Sequence, residues 1–317
     1  MNSTLERTLA DFGLCWQRNV LLKNLSCWRI GGAADYLAMP RNAHEVALVC
    51  RAARAANVPF MVVGHGSNIL FDDAGYRGMI VKIGRSFARC RISGTTVRAD
   101  AGIWAPSLAR ACAAKGLEGL EHAAGIPGNL GGLLYMNGGS MRCSVGDCVR
   151  CVVAMAPDGT VKTLSRDNCG FSYRHSVFQS SRWIILGAEL ELRQSTAREV
   201  RRTMLDILEE RRRKFPLELP NCGSVFSNDA ELYARFGPPG MIIDKAGLKG
   251  TRVGGAEISG KHANFIVNIG GASSSDVFSL VRKVRRKVHD LTGFTLRTEV
   301  LYLSPDGRYG PLSGFLD

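Results

Sequence analysis

Val62-Val63-Gly64-His65-Gly66-Ser67-Asn68 is the place where a short apolar run empties into glycine, and it decides which nucleotide-binding folds the chain can adopt. Residues 59–63 read as a β-strand, because valines pack well on a pleated surface. Glycines directly after a strand let consecutive N–H groups turn inward and form a concave nest for phosphate oxygens. The same glycines also suit a plain tight turn, and locally the two readings stand level. Ile69 occupies the place of a third glycine and no helix opens there, so a dehydrogenase-type dinucleotide fold is not indicated. No GxxxxGK[ST] occurs, which excludes a P-loop.

A second glycine cluster shifts the balance. Gly125-Ile126-Pro127-Gly128-Asn129-Leu130-Gly131-Gly132 leads into Leu133-Leu134-Tyr135-Met136-Asn137-Gly138-Gly139. Pro127 stiffens a loop that glycines otherwise free, as close backbone approach to a large flat ligand requires. Two such loops point to one dinucleotide held between two subdomains. Around them the pattern mixes strands and helices. Helical spacing covers residues 43–56 and 105–115, with strand runs at 34–39, 79–83, 96–99, 148–156 and 183–192. A turn is expected at 74–78, and Asp158-Gly159 between two strand runs signals a hairpin. Residues 197–213 form a strong helix broken at Phe215-Pro216. Beyond it come a loop at 219–228, a helix at 240–246, a strand at 264–269, a long amphipathic helix at 275–292, a strand at 298–303 and a polar tail. The expected organisation is α+β, with parts at 1–85, 86–195 and 196–304 and a tail at 305–317.

Composition limits the function classes. The 317 residues are 45% apolar and 22% charged, an ordinary globular balance with room for two or three cores. The net charge of +13 comes largely from two helix-like stretches, 201–214 and 282–287, which read as solvated faces or as attraction for an anionic ligand. No zinc-finger spacing, basic arm or aromatic-interleaved basic strand supports nucleic-acid binding. The ten cysteines are scattered, and the lone CxxC, Cys148 and Cys151, falls in a strand where its side chains face opposite ways. The expectation is reduced thiols and no metal. Residues 1–14 carry Glu6, Arg7 and Asp11 and lack a secretory apolar core, and no run nears membrane-spanning length. A cytoplasmic protein without a membrane partner, monomeric or weakly oligomeric, is expected.

Three further segments carry chemistry. Arg174, in Phe171-Ser172-Tyr173-Arg174-His175-Ser176, can pair with a carboxylate or phosphate bidentately, or it is a surface loop residue. Pro220-Asn221-Cys222-Gly223-Ser224-Val225-Phe226-Ser227-Asn228 is no nucleophile elbow, and Ser224 alone reads as structural. Lys261-His262-Ala263-Asn264-Phe265 and Leu296-Arg297-Thr298-Glu299-Val300 each read locally as ordinary strand entries.

Taken in order, these segments, together with Trp28-Arg29-Ile30-Gly31-Gly32-Ala33-Ala34-Asp35 and Gly247-Leu248-Lys249-Gly250, resemble the UDP-N-acetylenolpyruvoylglucosamine reductase family over about residues 20–303. The resemblance implies an FAD-binding unit of two α+β subdomains, of the vanillyl-alcohol-oxidase (PCMH) type, followed by an α+β substrate-binding domain. FAD would lie on Gly64, His65, Gly66, Ser67 and Asn68 and on Gly125, Ile126, Pro127, Gly128, Gly131 and Gly132. NADPH would reduce it, and a UDP-sugar enolpyruvyl ether would accept the hydride. By the same resemblance Ser224 is the proton donor, Arg174 and a protonated Glu299 polarise the substrate carboxylate, and Lys214, Asn228 and Lys261 contact the substrate. The chain departs from the common pattern at Ser227-Asn228-Asp229 and at Asn137-Gly138-Gly139-Ser140. It lacks a tyrosine-bearing loop before residue 197, which favours the family's shorter branch. The competing readings are a flavin oxidase of the same fold with His65 as a covalent anchor, a reductase of another sugar nucleotide, and a non-catalytic sugar-nucleotide binder.

Overall fold

The computed structural model describes residues 3–316. Met1 and Asn2, at the start of the expected first part, and Asp317, at the end of the expected tail, lie outside the described residues. The chain divides into two units that interleave along the sequence. The first takes the chain up to Gln17, Tyr36–His65 and Met79–Arg211, and the second takes Arg18–Asp35, Gly66–Gly78 and everything from Arg212.

In the first unit, Phe60–Val63 pairs in parallel with residues 79–82 of the strand Tyr76–Lys82. A helix, Ala43–Ala55, starts where Asn42 accepts the Glu45 N–H and buries Val46, Val49 and Ala53. A five-stranded antiparallel sheet follows in the order Val161–Ser165, Val149–Met155, Ile184–Glu191, Thr96–Asp100, Cys90–Ser93. Residues 156–160 close its first hairpin: Ala156 N–H donates to the Thr160 carbonyl, with Gly159 at φ +93°. The helix Ala105–Ala114 packs into the same core through Leu108, Ala109 and Cys112.

In the second unit, Ile69–Phe71 pairs in parallel with Leu301–Leu303, which pairs antiparallel with Tyr309–Pro311. A second antiparallel sheet joins Arg252–Val253, Ala256–Ile258 and Ile266–Asn268. The helix Ser274–Thr292 is started by a Ser273–Asp276 capping box and ended by Gly293 at φ +75°. Its Val277, Leu280, Val281, Val284 and Val288 repeat at helical spacing and are fully buried in the unit's core. Trp28, also fully buried, donates its indole N–H to the Ile266 carbonyl at 2.7 Å.

Among the elements that differ from expectation, four stand out. The strand Tyr76–Lys82 begins inside the expected turn at 74–78, where Tyr76 is buried. The glycine-rich centre contains a helix, Leu130–Met136, because its apolar residues find a core despite poor helix propensity. A helix at Ala230–Phe236 is started by the Asp229 side chain, which accepts the Leu232 N–H at 3.0 Å. The expected tail forms a strand at Tyr309–Pro311 and buries Leu312 completely.

Candidate active site

In the first unit the two glycine segments abut. Ile83 N–H donates to Val63 O at 3.0 Å, and the buried Asn129 side chain donates to Ile83 O at 2.8 Å. A Cβ placed on Gly64 would lie 3.6 Å from that same Asn129 amide. The His65 ring lies 4.3 Å from the Trp104 ring, and Trp104 bridges Asn129. Burial, and then the charge of Lys82, push the His65 pKa below its usual value. The second glycine segment is laced to residues 101–105: Leu130 N–H to Ile103 O, Gly131 N–H to Ala101 O and Ala105 N–H to Gly128 O, all at 2.8–2.9 Å. Gly131 is thus held by its own protein, with Ala101 Cβ only 3.0 Å from where its Cβ would be, whereas the Gly132 Cα faces open space.

Arg174 is carried to the far end of this segment. Ser172 and His175 exchange backbone hydrogen bonds, making a tight turn with Arg174 at φ +54°. Asn137 donates to Ser172 O at 2.8 Å and Ser176 to Tyr135 O at 2.7 Å, so the turn is pinned to the end of the helix Leu130–Met136. Arg174 itself donates to Gly139 O at 3.1 Å. Arg211 packs against the segment's other end, where a Cβ on Gly125 would come within 2.4 Å of its Cδ. Burial, and then the charge of Arg174, lower the Arg211 pKa. Two mutually repelling guanidinium groups beside a glycine loop suit an anionic ligand.

In the second unit the Ser224 loop and Glu299 share a backbone frame. Phe226 bridges Thr298 antiparallel. Glu299 N–H donates to Val225 O at 2.8 Å and Ser227 N–H to Arg297 O at 3.0 Å. Asn68 joins them: its amide donates to Glu299 O at 3.2 Å and its carbonyl accepts Leu301 N–H at 3.1 Å. Gly66, at φ +73°, passes against Leu25, and its carbonyl accepts Cys27 N–H at 3.0 Å and the Cys222 thiol at 3.7 Å. Gly223 at φ +79° turns the chain just before Ser224, which is half-buried.

Asn228 is exposed and lines a cavity of about 150 Å³ with Ser227, Asp229, Phe294 and Arg297. Lys214 and Lys261 are exposed and directly precede Phe215 and His262 in the chain, and Lys261 reaches Glu218 at 3.8 Å. His262 lies 5.2 Å from Phe215 and 5.1 Å from Phe265 between ring centroids. Burial chiefly, with Lys249 and Lys214 adding to it, lowers its pKa.

The structure therefore gathers Gly64, His65, residues 125–132 and Arg174 in the first unit. It gathers Asn68, Ser224 and Glu299 in the second. The boundary between units falls within the first glycine loop, between His65 and Gly66. Arg211 and Asn264 escaped the sequence reading. Arg211 is one basic residue among many on its helix, whereas Asn264, a polar residue entering an apolar strand, left a visible signal. Among the described residues no cluster of three or more His, Cys, Asp or Glu could hold a metal, and no helix is long and apolar enough to cross a membrane.

Residues 34–165 match the family model of an FAD binding domain, and residues 215–303 match that of the UDP-N-acetylenolpyruvoylglucosamine reductase C-terminal domain. UDP-N-acetylenolpyruvoylglucosamine reductase 1 of Corynebacterium glutamicum is 43% identical over 98% of this chain and 93% of its own. The Heliobacterium modesticaldum reductase is 37% identical over 94% of this chain and 93% of its own. The crystal structure of the Thermus caldophilus reductase superposes with a TM-score of 0.78 at 30% identity, covering 91% of this chain and 99% of that one. With near-complete coverage of both chains, this protein belongs to the UDP-N-acetylenolpyruvoylglucosamine reductase family.

Proposed function

We propose that this chain is an FAD-dependent, NADPH-linked reductase that converts the enolpyruvyl ether of UDP-N-acetylglucosamine enolpyruvate to UDP-N-acetylmuramate. The observation that carries the reading is the frame in the second unit, where the Glu299 N–H hangs from the carbonyl of Val225, one residue past Ser224. It occurs in a chain 43% identical to a reductase of that name. The residues present also fit a flavin dinucleotide. Gly64 and Asn129 bring two glycine segments into contact, and Arg174 and Arg211 supply positive charge at the ends of the second. Gly64, His65, residues 66–68 and residues 125–132 would hold FAD, which when bound supplies the hydride.

The protein's own residues then manage charge and protons. Hydride addition to an enolpyruvyl group drives negative charge toward its carboxylate. Arg174 offers planar, fixed donors to that developing charge. Glu299 assists only as a neutral acid, because an ionised carboxylate would repel the same electrons. Ser224 delivers the proton to carbon, and it requires a poised geometry, because a hydroxyl is a weak acid. Asn228, Lys214 and Lys261 would engage the sugar-nucleotide portion. The activity places the protein in peptidoglycan precursor synthesis, and so in cell-wall biogenesis, cell shape and division. A cytoplasmic setting, a monomer or weak oligomer, and no nucleic-acid or membrane partner complete the proposal.

The test is a spectrum of the purified protein followed by two anaerobic additions. NADPH should bleach the flavin bands, and UDP-N-acetylglucosamine enolpyruvate should restore them. A colourless protein, or a reduced flavin reoxidised by dioxygen but not by the enolpyruvyl ether, would overturn the reading.

A further inference from the structure

We infer that Asn264 is a positioning residue for the proton-donating serine, acting through the main chain of Phe226. The inference rests on the role proposed for Ser224. Asn264 is 6% exposed, and all of its polar groups save the N–H are turned to one short stretch of chain. Its Oδ1 accepts Phe226 N–H at 2.9 Å, and its Nδ2 donates to Phe226 O at 2.9 Å. Its own carbonyl accepts Val225 N–H at 2.8 Å. The carboxamide thus pairs with the N–H and the C=O of one residue, the way a neighbouring antiparallel strand would. The other edge of the same stretch is held by Glu299 N–H on Val225 O and Ser227 N–H on Arg297 O.

A second asparagine fixes the loop before the serine. Asn221 Oδ1 accepts Gly223 N–H at 2.9 Å, and its Nδ2 donates to Leu219 O at 2.7 Å and Pro216 O at 3.1 Å. Ser224 is the residue between these two clamps. A hydroxyl that must hand a proton to one carbon depends on such restraint, because a small misplacement costs a large factor in rate. The clamp also bears on the main chain of Glu299, since Val225 O accepts its N–H.

Only a group with one donor and one acceptor in a plane reproduces the pairing. Asn264→Asp keeps the acceptor, and it regains the donor only when the acid is protonated. Burial raises the pKa of such an acid, which brings its titration toward the working range. The FAD-loaded variants should therefore be followed in separate half-reactions with NADPH and with UDP-N-acetylglucosamine enolpyruvate. Asn264→Ala is expected to slow reoxidation by the enolpyruvyl ether about 100-fold while changing flavin reduction by less than about threefold, within the range for general acid catalysis. Asn264→Asp should acquire a new pH limb in reoxidation, about tenfold faster at pH 6 than at pH 8.5 relative to the unaltered protein, with none in reduction. Amide exchange at Phe226 should rise in Asn264→Ala, a reading independent of turnover.

Equal slowing of both half-reactions in Asn264→Ala, or an unaltered pH profile in Asn264→Asp, would overturn the inference. Should Asn264→Ala fail to fold, the near-isosteric Asn264→Asp carries the decision alone. Ser224→Ala, run alongside, separates the two layers of the argument. If it leaves reoxidation intact, the role of Ser224 itself fails. If it slows reoxidation and Asn264→Asp does not titrate, only the positioning role fails.

Discussion

Glu299 and Gly66 show how single residues set the terms of the site. Glu299 is half-buried in the frame that carries Ser224. If it acts as a neutral hydrogen-bond donor, a carboxamide should replace it in part. Glu299→Ala is expected to slow reoxidation by the enolpyruvyl ether about 100-fold, as loss of an oxyanion donor does, and Glu299→Gln only about tenfold. Stopped-flow reoxidation checks this, and equal losses would count against a neutral acid. Gly66 is demanding for a different reason. Its φ of +73° is left-handed, and a Cβ there would lie 1.9 Å from the Leu25 carbonyl oxygen. Gly66→Ala therefore combines backbone strain with a clash and should cost about 2–4 kcal/mol in urea denaturation. Its place just after a strand makes that glycine visible in the sequence, as part of a nest for phosphate oxygens. In the structure Gly66 also faces inward, tied through its carbonyl to Cys27 and Cys222. Asn264 was less legible still, since its hydrogen-bond partner lies 38 positions away.

Elements were legible where their signals are local. The hairpin at Asp158-Gly159 and the long helix Ser274–Thr292 follow from turn chemistry and apolar periodicity, and both form as expected. The helix Leu130–Met136 was hidden because glycine argues against a helix locally, and only the core that receives Leu130, Leu133 and Leu134 reverses that. The helix Ala230–Phe236 could have been found, since Asp229 is a standard capping residue three positions before Leu232. Caps also give a clean test at this scale. Ser273 accepts the Asp276 N–H at 3.1 Å, and Asp276 in return accepts the Ser273 N–H at 2.9 Å. Bonds of this kind hold the Asp276 pKa below the usual carboxylate range, despite an opposing effect of burial. Ser273→Ala should destabilise the protein by about 1 kcal/mol, read as a shift in the urea midpoint at constant slope.

Across the molecule, two histidines link stability to pH in one direction. Burial is the leading cause in both: it lowers the pKa of His122 and His262. His122 is the more enclosed, at 3% exposure, and its Nε2 has no hydrogen-bond partner among the described residues; Asp147 and Glu121 push its pKa back only in part. In the unfolded chain each imidazole titrates near its ordinary value of about 6.5. Between that value and the lower folded value, the unfolded state binds more protons, so stability falls as pH drops below about 6.5. The carboxylates held low, such as Asp276, lose their contribution only at more acidic pH, below their unfolded values, and do not confuse the window. Urea unfolding at pH 7.5 and pH 5.5 should therefore show a clear loss of stability at the lower pH. His122→Phe, which fills the same space without a titratable group, should reduce that loss. An identical loss in the variant would mean that the buried His122 does not contribute to the acid sensitivity.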